Sequence, residues 1–398
     1  MKALVLAGGT GSRLRPLTYT SAKQLIPVGN KPILFYALES IAAAGIVDVV
    51  VVVGDTADEV MTAVGDGVDF GIRVTYLRQE QPLGLAHAVQ LAEEYLGKDD
   101  FLMFLGDNLL RDGVGEFVRD FSAQVDAAEV MKDGHSRPLS ASILLSRVEE
   151  PQYFGVAELE NGRVARLVEK PAQPRSHFAL VGAYLFRPAI FAAVRAIQPS
   201  LRGELEITDA IQWLLDHGHD VAWREVSGWW KDTGKPEDVL DANRLVLDGM
   251  VSGRSGAMPD RGHAENLAIG AGGISPKSPL QPMRDAERRP SLASSRVFGR
   301  AFVHPTAQLI RSVIRGPVVI GEGARIEDAY VGPYTSIQGG VTVRRTEIEN
   351  SIVLAGSIVE DISRLDGCLI GKRAKITAAS ARPKGVRLIV GDDSRCEL

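Results

Sequence analysis

The chain has 398 residues, a formal net charge of −5, and 45% hydrophobic and 24% charged residues. That is ordinary for a globular protein long enough to hold two or three domains, and the acidic balance argues against nonspecific nucleic-acid binding as a main task. No apolar run reaches the ~18 residues of a membrane span, no leader-like pattern precedes the first strand, and Cys368 and Cys396 read as reduced thiols; the expectation is a cytoplasmic protein with no membrane or nucleic-acid partner.

The apolar run Ala3–Ala7 predicts a buried first strand of a parallel sheet. It runs into Gly8-Gly9-Thr10-Gly11-Ser12-Arg13. Glycine lets the backbone turn sharply there, and the amide N–H groups of such a turn form a concave site for phosphate oxygens. Arg13 adds a forked cation and Lys23 a point charge. Two familiar phosphate loops are excluded. A P-loop ends in Gly-Lys-Ser/Thr, whereas Gly11 is followed by Ser12-Arg13. The dinucleotide fingerprint needs a glycine where Leu14 stands. On the glycines alone, a polyphosphate site and a plain tight turn both remain open.

Pro32 opens a helix pattern with Ile33, Leu34, Ala37, Leu38 and Ile41 on one face, and Gly45 closes it. Val47–Val53 predicts a central strand. A short helix over 58–64, a strand over 73–77, a helix over 84–96 and a strand over 101–105 follow. This alternation predicts a doubly wound sheet, which binds ligands at the carboxyl ends of its strands. Asp107 lies just past such an end. It suits Mg²⁺, which takes one or two carboxylates plus substrate phosphates, and it equally suits a turn or helix cap. The Gln79 amide offers both a donor and an acceptor, and Gly84 allows the backbone a close approach. A surface glutamine and a helix-start glycine are the plain alternatives. His87 reads as a packed or solvated histidine, the polar stretch 122–139 as a surface loop, and Trp229 as core packing.

Residues 252–296 contain no aromatic side chain and many prolines and glycines, the composition of a linker. Beyond Phe302, Ile314, Ile320 and Ile326 are six apart, as are Val331, Ile337 and Val343, and Ile370 and Ile376. A six-residue period with one aliphatic per rung predicts a β-helix. Acyltransferases of that kind rely on a histidine, and His304 precedes the clear repeats, so an assembly role is preferred. The expected organisation is a domain over 1–251, a linker over 252–296 and a repeat domain over 297–398.

The glycine turn with Arg13-Leu14-Arg15-Pro16-Leu17-Thr18 and Lys23, then Leu105-Gly106-Asp107-Asn108, Val168-Glu169-Lys170-Pro171 and Trp230-Lys231-Asp232-Thr233-Gly234, resemble the signature of the sugar-1-phosphate nucleotidylyltransferases. The likeness is to the long-form glucose-1-phosphate thymidylyltransferase branch, with its C-terminal hexapeptide-repeat domain. The resemblance implies an α/β fold: a doubly wound, mixed, mostly parallel Rossmann-like sheet followed by a left-handed parallel β-helix. It implies that Leu6, Ala7, Gly8, Gly9 and Gly11 hold a nucleoside triphosphate, with Gln79 and Gly84 at the base. Asp107 and Asp232 would bind Mg²⁺. Tyr153, Gly155, Glu169, Val181 and Tyr184 would surround a sugar-1-phosphate, and Lys170 would meet its attacking phosphate. Arg13 would stabilise charge on the departing pyrophosphate, and Lys23 and Lys170 would neutralise the reacting phosphates. Thr208, in Leu205-Glu206-Ile207-Thr208-Asp209, fits either the family's helix start or a simple cap. The implied reaction is Mg²⁺-dependent in-line transfer from dTTP to glucose-1-phosphate by a homo-oligomer. Another base, a cyclitol phosphate acceptor, and a non-catalytic sugar-nucleotide-binding scaffold stay open at this point.

Overall fold

A computed structural model describes residues 1–19, 21–130, 137–252 and 294–378. The chain divides into two compact units, Met1–Pro279 and Leu280–Leu398. Their dividing point, nearly all of the expected linker, and Cys396 lie outside the described residues.

The first unit begins with β1 (Lys2–Ala7), a small ribbon of β2 (Pro27–Val28) and β3 (Lys31–Pro32), and α1 (Ile33–Ala43). There follow β4 (Asp48–Val53), α2 (Ala57–Val64), β5 (Arg73–Arg78), α3 (Leu85–Leu91), α4 (Glu93–Leu96), β6 (Phe101–Leu105) and β7 (Asn108–Leu110). Next are α5 (Gly115–Val130), β8 (Leu139–Arg147), β9 (Gly155–Glu160), β10 (Arg163–Glu169) and β11 (Phe178–Phe186). The last elements described in this unit are α6 (Ile190–Ala196), α7 (Ile207–Asp216), β12 (Asp220–Glu225), β13 (Trp230–Asp232) and α8 (Pro236–Ser252).

Strands β5, β4, β1 and β6 run parallel in that order, and β11 joins β6 antiparallel to extend a nine-stranded mixed sheet. Alternate residues of one strand feed opposite cores. Val49, Val51 and Phe104 pack with Leu34, Leu38 and Phe121 on one face. Val50, Val52 and Met103 pack with Val89, Ile190 and Ile211 on the other. Both faces being covered is why these strands read as unbroken apolar runs.

Four expectations need correction. The helix over 84–96 is two pieces, α3 and α4, meeting at Ala92. The polar stretch after Phe121 is helical through Val130, because Phe117, Val118, Phe121 and Val125 recur at helical spacing and are all buried. Trp229 is only partly buried and joins no core cluster; its neighbour Trp230 is the one that packs. Val47 lies outside β4 and is exposed.

Among its described residues the second unit has three parallel sheets, each of five strands two or three residues long. Ile314, Ile320 and Ile326 sit in three different sheets, so one six-residue step is one side of a coil. Ile314 pairs with Val331, Ile320 with Ile337, and Ile326 with Val343, one coil further on. All six point into one core. This is the architecture of a left-handed parallel β-helix.

Candidate functional site

The loop after β1 is held from three directions. Leu14 is buried beneath it, Thr18 Oγ1 donates to the Gly11 carbonyl at 2.7 Å, and the Ala22 N–H donates to Glu59 Oε2 from α2 at 2.5 Å. Gly11 has φ 62°, and a Cβ there would lie 2.9 Å from Lys23 Cβ. Only glycine therefore lets the turn fold back onto Lys23. Leu6 and Ala7 end β1, and Gly8 approaches the far edge, where a Cβ would lie 3.7 Å from Gln79 Oε1.

Asp107 follows β6, as the strand-end rule expects. Asp232 reaches it by a different route: β13 is not part of the main sheet but pairs antiparallel with β7, placing Asp232 opposite Asn108. Thr233 closes the corner, its N–H and Oγ1 both donating to the Asp107 carbonyl at 3.2 and 2.7 Å. Lys23 Nζ forms an ion pair with Asp107 Oδ2. A Cβ on Gly234 would lie 3.0 Å from Arg13 Nη2 and 3.3 Å from Asp232 Oδ2, so the guanidinium stands beside the second carboxylate.

The electrostatics follow from burial and company. Burial pushes the Asp107 carboxyl up, but the Lys23 charge and hydrogen bond, with the Asn108 amide, hold it below its ordinary value. Burial and then the Asp107 charge lift Asp232 to about 6, against the opposing pull of Lys23 and Arg13. Burial pulls the Lys23 ammonium down, and the two carboxylates more than restore it. The donor set fits a hard divalent cation: two partly buried carboxylates meet, and one carries an unrelieved cost of ionisation. Among the described residues no group of three or more His, Cys, Asp or Glu is placed to hold a metal ion; the acid pair offers two such ligands here.

The acceptor candidates gather at the ends of β9 and β10. Glu169 Oε2 accepts from Thr208 Oγ1 at 2.7 Å; Lys170 Nζ and Arg202 Nη2 lie 3.5 and 3.3 Å from Glu169 Oε1. A Cβ on Gly155 would sit 2.7 Å from Thr208 Oγ1, which is why the position is bare. Tyr153 is exposed, with Lys235 Nζ 5.4 Å from its ring centre. Val181 and Tyr184 do not form one wall. They are three residues apart on β11, belong to opposite cores, and cannot present side chains to the same pocket. Tyr184 lies on the Glu169 side; burial and then that carboxylate push its hydroxyl well up.

At the base position, Gln79 Nε2 donates to His87 Nδ1 at 2.9 Å and lies 3.2 Å from the Gly84 carbonyl. Burial lowers the His87 pKa, which favours the neutral ring, the form that can accept this bond. Gly84 stands at the start of α3, as the helix-start alternative expects. Its φ is 104°, and a Cβ would lie 2.4 Å from the Leu205 carbonyl oxygen.

Four side chains at the site escaped the sequence reading. Gln24 is buried with an unpartnered Oε1, and its Nε2 is 3.5 Å from a Cβ placed on Gly9; it stands between Lys23 and Leu25-Ile26, with no pattern of its own to mark it. Asn108 lies within the quoted Asp107 motif, and His87 stands eight residues after Gln79, on the first turn of α3. Arg202 has no sequence signal beyond a lone cation in a polar loop.

A glycine turn with two cations, an acid pair and a second cluster of cations along the carboxyl edge of a parallel sheet define a class. The nucleotidyl transferase family model matches residues 2–249, and the chain belongs to that family. It is 48% identical to a glucose-1-phosphate thymidylyltransferase of Streptomyces griseus over 100% of this chain and 99% of that one. It is 42% identical to the low-salt glycan biosynthesis nucleotidyltransferase Agl11 of Haloferax volcanii, covering 100% of both. Among solved structures, a Bacillus anthracis protein described as a glucose-1-phosphate thymidylyltransferase, in complex with sucrose, matches with a TM-score of 0.56 and 36% identity. That match covers 62% of this chain and 94% of the other. No helix among the described residues is long and apolar enough to cross a membrane.

Proposed function

We propose that this chain transfers a thymidylyl group from dTTP to glucose-1-phosphate, releasing pyrophosphate. The observation that carries the reading is the convergence of Arg13, Lys23, Asp107 and Asp232 where β1 and β6 end. Identity to thymidylyltransferases along the whole chain favours this substrate pair within the family.

The amides of Gly8, Gly9 and Gly11 cradle the triphosphate, with Leu6 and Ala7 leading into the turn. The orphaned Gln24 Oε1 accepts from the nucleoside sugar, and Gln79, its amide oriented by His87, reads the imide edge of the base. Glu169 accepts from acceptor hydroxyls beside Gly155, Tyr153 and Tyr184, with Val181 contributing backbone only. Lys170 and Arg202 hold the acceptor phosphate. An oxygen of that phosphate attacks the α-phosphorus in line, the bond to the bridging oxygen breaks, and pyrophosphate leaves with the electron pair. Arg13 and Lys23 neutralise charge on the departing group. Asp107 and Asp232 would hold Mg²⁺, which supplies further charge neutralisation to the phosphate oxygens. The phosphate nucleophile is already ionised, so positioning and charge do the catalysis with no general base.

This chemistry belongs in the cytoplasm, where nucleoside triphosphates are made. The β-helix unit we assign to homo-oligomer assembly; sedimentation of the full chain as a monomer would remove that assignment. The main test is pyrophosphate release from dTTP, UTP, ATP and GTP against several sugar-1-phosphates and a cyclitol phosphate. The largest kcat/KM is expected for dTTP with glucose-1-phosphate. A different preferred pair overturns the substrate assignment, and release from none overturns the enzyme.

A further inference from the structure

The proposed roles of Lys23 and Asp107 place two cations on one carboxylate. Asp107 Oδ1 accepts from Asn108 Nδ2 at 3.0 Å. That amide is itself locked: its Oδ1 accepts the Trp230 indole N–H at 2.6 Å, and a Cβ on Gly182 would lie 2.6 Å from its Cγ. Asp107 Oδ1 is thus held by a fixed donor, and its Oδ2 holds the Lys23 ammonium, with Asp232 adding to the attraction, so any cation that reaches this carboxylate does so beside that ammonium. A Mg²⁺ ion sits about 2.0–2.1 Å from its ligand oxygens, so on Asp107 it would stand a few Å from the ammonium and be repelled by it in a partly buried cleft.

Charge balance points the same way. Two carboxylates, Lys23 and Arg13 sum to about zero. A divalent cation added without phosphate would leave two excess positive charges in a partly buried cleft, where unpaired charge is costly. A triphosphate brings the missing negative charge and offers the ammonium a new partner.

We propose that Lys23 is a built-in competitor for the metal position, so that a divalent cation is admitted only together with the triphosphate that draws the ammonium off Asp107. The inference rests on the reading of Asp107 and Asp232 as the metal-binding pair. Lys23 then determines the order of loading in addition to neutralising phosphate.

The test uses Mn²⁺ alone, titrated into the full chain with no nucleotide and followed by the electron paramagnetic resonance of the free ion. Lys23→Met and Lys23→Gln should each bind one Mn²⁺ at least tenfold more tightly than wild type, although each loses turnover. Lys23→Gln keeps a polar side chain of similar reach, should the methionine variant not fold. Adding Asp107→Asn to either should abolish the gain. If neither variant binds more tightly than wild type, the competition is wrong and the acid pair still stands on its own kinetics. If the gain survives Asp107→Asn, both the competition and the acid-pair reading fail.

Discussion

Charged side chains repeat along one corner of the β-helix unit, and others converge in the cleft of the first unit. Arg311, Asp328, Arg345 and Asp361 occupy equivalent corners of successive coils, each with φ between 46° and 62°. The Arg311 guanidinium grips both oxygens of Asp328 at 2.6 Å, and that of Arg345 grips Asp361 at 2.5 and 2.8 Å. Each charge there meets its opposite in solvent, so nothing is left for a ligand to satisfy. In the cleft, Asp232 is lifted to about 6 by burial and the neighbouring carboxylate, and Gln24 keeps an unpartnered buried oxygen. A regular repeat lets charges be paired by translation alone. The cleft draws its charges from four separate segments and leaves part of their cost unmet, as a site that must gain on binding does.

The largest effect should come from the acid pair. Asp107→Asn should reduce kcat about a thousandfold or more while the circular dichroism spectrum is unchanged; a rate within tenfold of wild type would end the metal-binding role. Asp232→Asn should lose comparable turnover yet melt higher, because it removes an ionisation that folding makes costly. The sign can be checked with pH. The folded pKa of about 6 lies above the ordinary 3.8, so the contribution of Asp232 to stability is complete below pH ~4 and lost as pH rises through ~6. The urea midpoint of wild type relative to Asp232→Asn should therefore fall between pH 5 and pH 7.5, by of order 1–3 kcal/mol in unfolding free energy. A constant difference would refute it.

That contrast also explains what could be read in advance. The strands of the main sheet and the coils were legible because apolar residues mark them directly: Val49–Val53 as a run, Ile314, Ile320 and Ile326 by period. Asp107 was legible because it follows such a run. The route by which Asp232 arrives was not, since β7 and β13 are three residues each and their pairing depends on a contact 122 residues apart in sequence, Trp230 to Asn108. The separate faces of Val181 and Tyr184 were available from alternation alone, because an odd separation on a strand reverses the side. The Gln79–His87 bond joins a loop to a helix, and no pattern within either segment announces it.

The β-helix core should respond to volume and leave the cleft alone. Ile337 is fully buried among Ile320, Val343 and Val353. Ile337→Ala should destabilise the second unit by roughly 2–5 kcal/mol, seen as a lowered transition in calorimetry, with kcat per chain unchanged; a matching loss of kcat would show that the coil supports the active site. A smaller effect belongs to His87→Phe, which keeps a ring on α3 but removes the acceptor that orients Gln79. KM for dTTP should rise about tenfold with kcat nearly constant, the value of one lost hydrogen bond. An unchanged KM would free Gln79 from any dependence on His87.

The least effect is expected where the ion pairs look best. Arg345→Ala breaks a two-pronged pair with Asp361, but both side chains stand in water, where Coulomb attraction is screened and fixing two long side chains costs entropy. Neither the unfolding midpoint nor turnover should change beyond error. The backbone φ of 46° at Arg345 is equally open to alanine as to arginine, so the substitution probes the charge without altering the strain of the corner. A clear loss of stability would mean that the corner charges act as a cooperative ladder, Asp328 and Arg345 included, and that repetition gives exposed pairs a strength they lack singly.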